Sequence, residues 1–445
     1  MAEYRYHWFI TTLTPLHIGS GERLREGFDF VSHDGALWVV NQGALFRTIL
    51  EEAMKVRTAD EATVAAEIAG MTLNQFMVNQ WLRAEHFDLR RGIFAYRLPG
   101  STSKKGQQGE LFVHIKDIEN RPYLPGTSLK GALRSAPLRH LAAKDEHKPL
   151  IFYEENINPK TQRNRLRANA KRAAEFEEGR HFVPTSRPAS QEMHLETKRL
   201  IAAPIYSGFA ITNPSRRRED AFRNPHYDLW RALRIVDSAP RPIETLALGQ
   251  AIFYGQPSET RRRTIEEAIP IDLELIPAGV TFEALSWVET WLFENQRAAR
   301  ELRFHDRQKQ WLTSQLCQIV NEESRLRLVE ETSLFMELVK HDTAVRNTQR
   351  ALDKIADEYV ALSANEMILP VGKGTGWRSK TLGRVLQERM NDDEFTRMVQ
   401  DFNLGDGMWK RSEQIPYTRL LASAGEQRLA PMGWVKIRLE LKKQA

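Results

Sequence analysis

The sequence has a single cysteine, Cys317, among its 445 residues. One thiol cannot form a disulfide within the chain, and it cannot supply the several cysteine ligands of a structural zinc site. Long hydrophobic runs are also missing, and the first residues, MAEYRYH, are charged and aromatic where a signal peptide has an apolar core. These absences argue against a disulfide-rich secreted protein and a membrane protein, so we expect a soluble, cytoplasmic one.

The motifs of several enzyme classes are absent too. The sequence has no His-Glu-x-x-His, no Gly-x-Ser-x-Gly and no Gly-Gly-Asp-Asp, which metalloproteases, serine hydrolases and nucleotidyl cyclases need. Three His-Asp dipeptides begin at positions 33, 305 and 341, but pairs of this kind arise readily by chance in a chain with 12 histidines and 58 acidic residues. We predict neither a metal site nor a cofactor.

A glycine-rich segment, residues 372–376, has a composition typical of nucleotide-binding loops but the wrong spacing. A dinucleotide fingerprint needs a glycine or alanine where this chain has Trp377, and a Walker A loop needs Gly-Lys-Ser/Thr after four spacer residues. A flexible loop with exposed backbone N–H groups remains, beside Lys373, Arg378 and Lys380, and it could follow an RNA backbone. A plain turn between a strand and a helix is the alternative.

Positive charge is clustered along the chain, although the net charge is only +6. Residues 160–172 hold six Lys or Arg without one acid, and residues 216–218 and 261–263 are arginine triplets. Clustering matters more than net charge for binding a polyanion. Each cluster alone is also compatible with a solvated surface loop.

The most informative segment is Tyr123–Ser135, which reads YLPGTSLKGALRS. Its Pro-Gly pair predicts a tight turn after a short strand, and Thr127 or Ser128 can cap the helix that follows. Pro137 is expected to kink or end this helix early.

The helix predicted in this segment has a basic face. Lys130 and Arg134 are expected one turn apart and exposed, and Gly131 leaves the backbone between them open to close approach. Two cations near a helix N-terminus could contact a phosphate chain. The alternative is an ordinary strand, turn and helix with solvated charges.

The same segment resembles the signature of the RAMP superfamily of CRISPR RNA-binding proteins. Four further segments support the resemblance, namely LTPLHIGSG at 13–21, LRIVDS at 233–238, GKGTGWRSKT at 372–381 and PMGWV at 431–435. Two of the five segments, Val-Asp-Ser and Pro-Met-Gly-Trp, resemble one subunit family within the superfamily more than the others. That resemblance is to the subunit family that caps the guide RNA in Csm (type III-A) effector complexes.

The resemblance implies a non-catalytic subunit of a type III CRISPR ribonucleoprotein. This subunit would bind the 3′ part of the guide RNA, cap the backbone filament, and contribute to guide maturation and antiviral RNA targeting. The implied partners are guide RNA, target RNA, a neighbouring backbone RAMP subunit, the small helical subunit and, for trimming, host nucleases. Contacts should be to phosphate and ribose, because the spacer sequence of a guide varies.

We predict RNA contacts in the glycine turn, the signature helix, the basic run and the glycine-rich loop. The predicted RNA-binding residues are Gly19, Ser20, Gly21, Ser128, Lys130, Gly131, Arg134, Arg163, Arg165, Arg167, Gly372, Lys373, Gly374, Thr375, Gly376, Arg378 and Lys380.

Three alternatives stay open: a capping subunit of another type III complex, a guide-processing RAMP endoribonuclease, and a helical scaffold with incidental basic patches. The endoribonuclease needs a general base near a glycine-rich loop, and His17 is the only histidine so placed in the sequence. In related filament subunits an aspartate after the first glycine turn cleaves target RNA, and Asp29 occupies about that place. It is embedded in Phe-Asp-Phe-Val, a predicted strand, so we interpret Asp29 as structural.

The fold class predicted from the mixture of strands and helices is α+β. The resemblance implies ferredoxin-like, RNA-recognition-type RAMP cores with large helical insertions. We expect an N-terminal core over residues 1–145 with a helical insertion at 43–86, a basic irregular arm over 146–228, and a second α+β lobe over 229–445. The lobe would hold a helical insertion at 286–365, with Trp287, Trp291, Leu302 and Trp311 in the core, and the glycine-rich loop.

Overall fold

The structure is a computed structural model. It describes residues 4–103, 109–144, 228–255, 268–302, 304–340, 342–376, 379, 383–393, 395–396, 418–424 and 428–442.

Strands and helices alternate irregularly along the described chain. The strands are β1 Tyr4–Thr12, β2 Gly19–Arg25, β3 Phe30–His33, β4 Ala36–Val40, β5 Phe94–Pro99, β6 Glu110–His114, β7 Leu233–Ile235, β8 Ala247–Gly255, β9 Pro270–Leu275, β10 Thr281–Val288, β11 Glu366–Pro370, β12 Thr418–Ala424, β13 Ala430–Pro431 and β14 Trp434–Leu441. The α-helices are α1 Gln42–Met54, α2 Glu61–Ile68, α3 Leu73–Val78, α4 Gly126–Lys144, α5 Trp291–Glu294, α6 Gln296–Leu302, α7 Asp306–Leu312, α8 Leu316–Val339, α9 Arg346–Val360 and α10 Gly383–Arg389. The fold mixes helix and sheet, which confirms the prediction at that level.

A five-stranded antiparallel sheet joins the two ends of the chain, in the order β11-β14-β1-β10-β7. Ile10 of β1 lies opposite Phe282 on one side and Ile437 on the other, and all three are fully buried. Alternation of apolar residues in β1 and β14 therefore follows the pleat, with one face in the core. Since β1 pairs with strands from beyond residue 280, the expected division at residues 145 and 229 does not coincide with a boundary between sheets.

Two further sheets complete the β structure. A six-stranded sheet has the order β13-β12-β8-β9-β6-β2, and all its pairs are antiparallel except β6 with β9. The antiparallel sheet β3-β4-β5 carries the helices of residues 42–78 and shares a hydrophobic core with them. Trp38, Ile49, Phe76 and Phe94 belong to that core.

Helices α4 and α8 pack against each other and against the five-stranded sheet. Helix α4 continues through Pro137 to Lys144, so the expected early end is wrong. The free energy gained by burying Leu129, Leu133 and Ala136 offsets the cost of the backbone hydrogen bond that Pro137 cannot donate.

The helical insertion expected from residue 286 begins later, because Trp287 lies in β10. Trp291 is 39% exposed, against the expectation that it packs inward, whereas Leu302 is buried and Trp311 packs against the core. Among the described helices, none combines the length and the apolar character that crossing a membrane requires.

Candidate nucleic-acid interface

A cleft of about 1010 Å³ lies where three distant parts of the chain meet. Residues 17–23 with the glycine turn form one side, Ser128, Gly131 and Arg134 of α4 form another, and Gly372, Lys373 and Thr375 of the glycine-rich loop form a third. The structure thus brings together three of the segments in which RNA contacts are predicted. Six cations and four carboxylates line the cleft: Arg23, Arg134, Arg139, Arg327, Lys373 and Arg384, with Glu22, Asp228, Glu323 and Glu330.

The Val-Asp-Ser segment fixes the start of α4. The N–H of Gly126 donates to Asp237 Oδ1 at 2.8 Å, and the N–H of Leu124 donates to Ser238 Oγ at 2.8 Å. Helix α4 begins at Gly126, so neither Thr127 nor Ser128 is its cap, and the Asp237 carboxylate takes that role from a remote strand end. A carboxylate is favourable there because the helix dipole is positive at its N-terminus.

Gly126 allows this close contact, and it provides a test. A Cβ at Gly126 would lie 2.2 Å from the Ile235 carbonyl oxygen, whereas a Cβ at Gly131 would meet nothing within 4 Å. We expect Gly126→Ala to lower the free energy of unfolding by about 2 kcal/mol, because backbone must move, and Gly131→Ala to raise it by up to about 1 kcal/mol through helix propensity. Urea denaturation of both variants measures this, and equal stabilities would contradict the packing of α4 on β7.

Two cations of α4, Lys130 and Arg134, have different environments. Arg134 lines the cleft and pairs with Asp228. Lys130 is half-buried toward β7, where Nζ donates to the Leu233 carbonyl at 2.8 Å, and burial lowers the pKa of Lys130 to about 8. The expectation that both stand on an exposed face is therefore wrong for Lys130, and its contact with RNA stays a prediction.

The glycine-rich loop docks on the N-terminal segment. The N–H of Lys373 donates to the His17 carbonyl at 2.8 Å, and Thr375 Oγ1 donates to the Gly372 carbonyl at 3.0 Å. Gly372 has a φ of +79°, and a Cβ there would lie 2.4 Å from the His17 oxygen. Only glycine fits this position, so backbone contacts fix the loop to the N-terminal segment at the cleft. Contact of the loop with RNA stays a prediction.

The Pro-Met-Gly-Trp segment holds these two parts together. Gly433 donates to the Pro15 carbonyl at 2.9 Å and accepts from the Val371 N–H at 2.8 Å, and the Trp434 N–H donates to Thr14 Oγ1 at 2.9 Å. The Val-Asp-Ser and Pro-Met-Gly-Trp segments therefore position the three segments that line the cleft, which are the glycine turn, α4 and the glycine-rich loop.

Two cations lie over the ring of Phe112, which lines the cleft. Arg23 Cζ lies 4.6 Å and Lys373 Nζ lies 4.3 Å from the ring centroid, and Arg23 also bonds Glu110 at 3.1 Å. Cation–π contacts of this kind hold charged groups at a surface without neutralising them. Sequence reasoning missed Arg23 and Phe112, although Arg23 stands only two residues after the predicted glycine turn.

A second, buried wall of the cleft was also missed. Arg384 of α10 makes two bonds to Glu323 of α8, at 2.9 and 3.1 Å, and Arg139 of α4 bonds the same carboxylate at 3.3 Å. The three side chains come from helices far apart in sequence. The only sequence signal was the charged stripe Glu323, Arg327 and Glu331 at four-residue spacing on a predicted helix.

His17 lines the cleft but is almost fully buried, at 1% exposure. Its Nδ1 lies 2.8 Å from the Glu274 carbonyl oxygen, and burial lowers the pKa of His17 to about 4. The imidazole is therefore neutral at physiological pH and enclosed by protein. This arrangement favours a structural role for His17 over the general base that a guide-processing endoribonuclease needs.

Asp29 lies in the turn before β3, not within the predicted strand. Its carboxylate accepts from the Arg25 N–H at 2.8 Å and from Gln42 Nε2 at 3.2 Å. These bonds fix the side chain, and Asp29 is not among the residues that line the cleft. The contacts favour the structural interpretation.

Of the other predicted RNA-binding residues, two line the cleft, three lie close to them in sequence without lining it, and five lie outside the described residues. Gly19 and Gly21 line the cleft, Ser20 Oγ accepts from the Glu22 N–H at 3.2 Å, Gly374 packs on Met432, and Gly376 ends the described part of the loop. Arg163, Arg165, Arg167, Arg378 and Lys380 lie outside the described residues. Within the described ranges, no cluster of three or more His, Cys, Asp or Glu side chains is arranged to hold a metal ion.

A sequence model of the RAMP superfamily matches residues 9–377. The chain belongs to this superfamily. The match confirms the resemblance predicted from the five segments.

Relatives of this RAMP protein carry a more specific name. The "CRISPR system Cms protein Csm5" of Streptococcus thermophilus is 23% identical over 261 residues, which cover 55% of this chain and 68% of the relative. A chain in the cryo-EM structure of a Csm–crRNA–target RNA ternary complex of a type III-A CRISPR–Cas system matches with a TM-score of 0.61 and 20% identity, covering 98% of this chain and 100% of that one.

The crystal structure of T. onnurineus Csm5 also matches, with a TM-score of 0.56, 20% identity, and coverage of 96% of this chain and 99% of that one. At this identity the two solved structures show a shared fold along nearly the whole chain. This RAMP protein is therefore similar to Csm5, as its motifs predicted.

Proposed function

We propose that this protein is a non-catalytic subunit of a type III-A CRISPR ribonucleoprotein, and that its cleft binds the 3′ part of the guide RNA and closes the backbone filament. The observation that carries the proposal is the convergence of the glycine turn, the signature helix and the glycine-rich loop on one cation-lined cleft. Similarity to Csm5 and to a chain of a Csm–crRNA–target RNA complex supports it.

The proposed binding mode is contact with phosphate and ribose. Gly131 leaves the backbone of α4 open, since a Cβ there would meet nothing within 4 Å, and Arg23 and Lys373 present charge at the same cleft. This arrangement favours contact with RNA shape rather than with base sequence. A neighbouring backbone RAMP subunit, the small helical subunit and target RNA are the partners of the proposed complex. Host nucleases would trim the guide beyond the capped end, and the complex would work in the cytoplasm.

We further propose a ferredoxin-like core. The path β1, α4, β7, β10, α8, β14 is a β-α-β-β-α-β sequence, and its four strands lie in the order β14-β1-β10-β7. All three pairs are antiparallel. That order supports the RNA-recognition-type core, with β11 as an added edge strand.

Isolation of the native complex tests the functional proposal. We expect one copy of this chain with several copies of a smaller RAMP protein and a uniform small RNA. If several phosphates are neutralised, log affinity should fall against log salt with a slope of about −0.7 per phosphate for single-stranded RNA. A chain that purifies without RNA and without RAMP partners would instead indicate the scaffold alternative.

The non-catalytic assignment has its own test. Because Asp29 bonds Arg25 and Gln42, Asp29→Ala should leave RNA cleavage by the whole complex unchanged in the number and position of cuts. Cleavage products of end-labelled target RNA on a sequencing gel measure this. Loss of the cut at one end of the product ladder in the Asp29→Ala complex would show that this chain cleaves target RNA.

A further inference from the structure

Arg327 on α8 is an unusual residue in the cleft wall. Its Nε and Nη1 atoms are shielded from solvent and have no hydrogen-bond partner. Its Cζ lies 5.5 Å from the centroid of the Trp434 ring, and the residue lines the cleft. Buried guanidinium groups nearly always have carboxylate or carbonyl partners, so N–H donors without such a partner, at the wall of a cleft, are suited to bind an anionic ligand.

The nearby carboxylates of α8 make no hydrogen bond to these two atoms. Glu330, three residues after Arg327, lines the cleft, and Glu331 and Glu330 partly offset the effect of burial on the pKa of Arg327. Glu323 and Glu331 lie one turn before and one turn after Arg327 on α8. Glu323 bonds Arg384 and Arg139, and Glu331 accepts two bonds from Arg419 Nε, at 2.6 and 2.7 Å. Burial lowers the pKa of Arg327 to about 10, so the group is still charged at neutral pH.

A second donor that lines the cleft, the Ser379 hydroxyl, has no hydrogen-bond partner. Ser379 is 7% exposed, and its Oγ is buried. The Ser379 carbonyl accepts from Arg139, which also bonds Glu323, one turn before Arg327 on α8. A guanidinium and a hydroxyl can together bind one acceptor group with several oxygens. The surrounding cleft, at about 1010 Å³, is at the upper limit of small-molecule sites, which fits a segment of a polymer better than a free ion.

We propose that Arg327 and Ser379 form an anion subsite in the buried wall of the cleft, and that it takes one phosphodiester group of the bound RNA. The proposal rests on the proposed function, because it assigns one phosphate of the RNA that the cleft is inferred to bind. Arg134, Lys373 and Arg23 line the same cleft, and the subsite adds a phosphate held in place by desolvated donors.

A phosphate-by-residue scan tests the subsite. Synthetic guide RNAs with a neutral methylphosphonate at one linkage at a time are bound to the full-length chain, or to the assembled complex if the chain needs its partners. One linkage should weaken wild-type binding about tenfold when neutralised. The same substitution should have less than about a twofold effect on Arg327→Gln, because coupled groups are not additive. A 3′-phosphate compared with a 3′-hydroxyl on the RNA distinguishes a terminal from an internal phosphate.

Arg325→Gln is the matched control, since it removes the same charge from the exposed side of α8 and should leave every linkage effect at its wild-type value. If Arg327→Gln does not fold, Arg327→Lys replaces it, which retains the charge and loses the fork of donors. Wild-type binding with the normal salt slope, but with no linkage coupled to Arg327, would overturn the subsite and leave the proposed function standing. Absence of salt-dependent RNA binding by the wild type would overturn both.

Discussion

Replacing Glu274 by glutamine is expected to lower the free energy of unfolding by about 3–5 kcal/mol, the usual cost of removing one partner from a buried ion pair. Glu274 is fully buried, and its carboxylate accepts from Lys116 Nζ at 2.5 Å, from Tyr96 Oη at 2.5 Å and from the His114 N–H at 2.8 Å. Glutamine has nearly the same shape but no charge, so the Lys116 ammonium would stay buried without a counter-ion.

The loss should depend on pH in a defined direction. Burial lowers the pKa of Lys116, and Glu274 counteracts that effect. Without the Glu274 carboxylate, the pKa of Lys116 in the folded state falls further below its value in the unfolded state. At a pH between these two pKa values the unfolded state binds more protons, so the stability of the variant rises with pH. The difference between Glu274→Gln and wild type in urea denaturation should therefore shrink as the pH is raised from 7 toward 10.

Glu110→Gln is the matched control. Glu110 pairs with Arg23, whose side chain is 54% exposed, so this change should cost less than about 1 kcal/mol and show no comparable pH dependence. Equal losses in the two variants would mean that the Glu274 cluster is not the buried anchor that the structure shows.

The position of this cluster explains why it matters for the cleft. The Glu274 carbonyl accepts from His17, and the His17 carbonyl accepts from Lys373 of the glycine-rich loop. The residue that holds the buried ion pair is therefore two hydrogen bonds away from the glycine-rich loop, and a disturbance of β9 should reach the loop.

The strands of the large sheets could be predicted because their signal is local. In β14, Trp434–Leu441, the apolar residues alternate with Lys436 and Arg438, and this alternation by itself predicts a strand with one buried face. Helix α4 shows the limit of this reasoning. Pro137 is unfavourable within a helix, and only the packing of α4 on α8 and the sheet, which no local pattern contains, explains why the helix continues.

The glycines of the cleft could be predicted from local sequence, but the contacts that require them could not. Gly372 and Gly126 were found as turn glycines, but the carbonyls of His17 and Ile235 that require them lie far away in sequence. Arg139 and Arg384 belong to no motif, and Arg327 is marked only by the charged stripe of α8, because the arrangement of these side chains depends on three helices that meet at the cleft. The sequence is sufficient to identify the segments that form the cleft. The structure is needed to identify the buried arginines in the cleft wall.

Reversing the charge of Arg23 and Lys373 together is expected to weaken guide RNA binding by about a hundredfold at moderate salt. Both cations stand over the Phe112 ring and line the cleft. Unlike Lys130, which bonds the Leu233 carbonyl, their side chains support no buried element, so Arg23→Glu with Lys373→Glu should fold normally. Filter binding of guide RNA at a series of salt concentrations measures the effect.

The salt series separates a lost phosphate contact from a general change of charge. If each cation neutralises one phosphate, the slope of log affinity against log salt should become less negative by about 1.4, which is twice the 0.7 expected per phosphate. Arg297→Glu with Lys340→Glu makes the same change in net charge at side chains that are 88% and 66% exposed and not among those that line the cleft. That control should weaken binding only slightly and preserve the slope, because exposed charges beyond a Debye length of about 8 Å are largely screened. Equal weakening by the two double variants would place the RNA elsewhere on the surface and remove the cleft from the binding site.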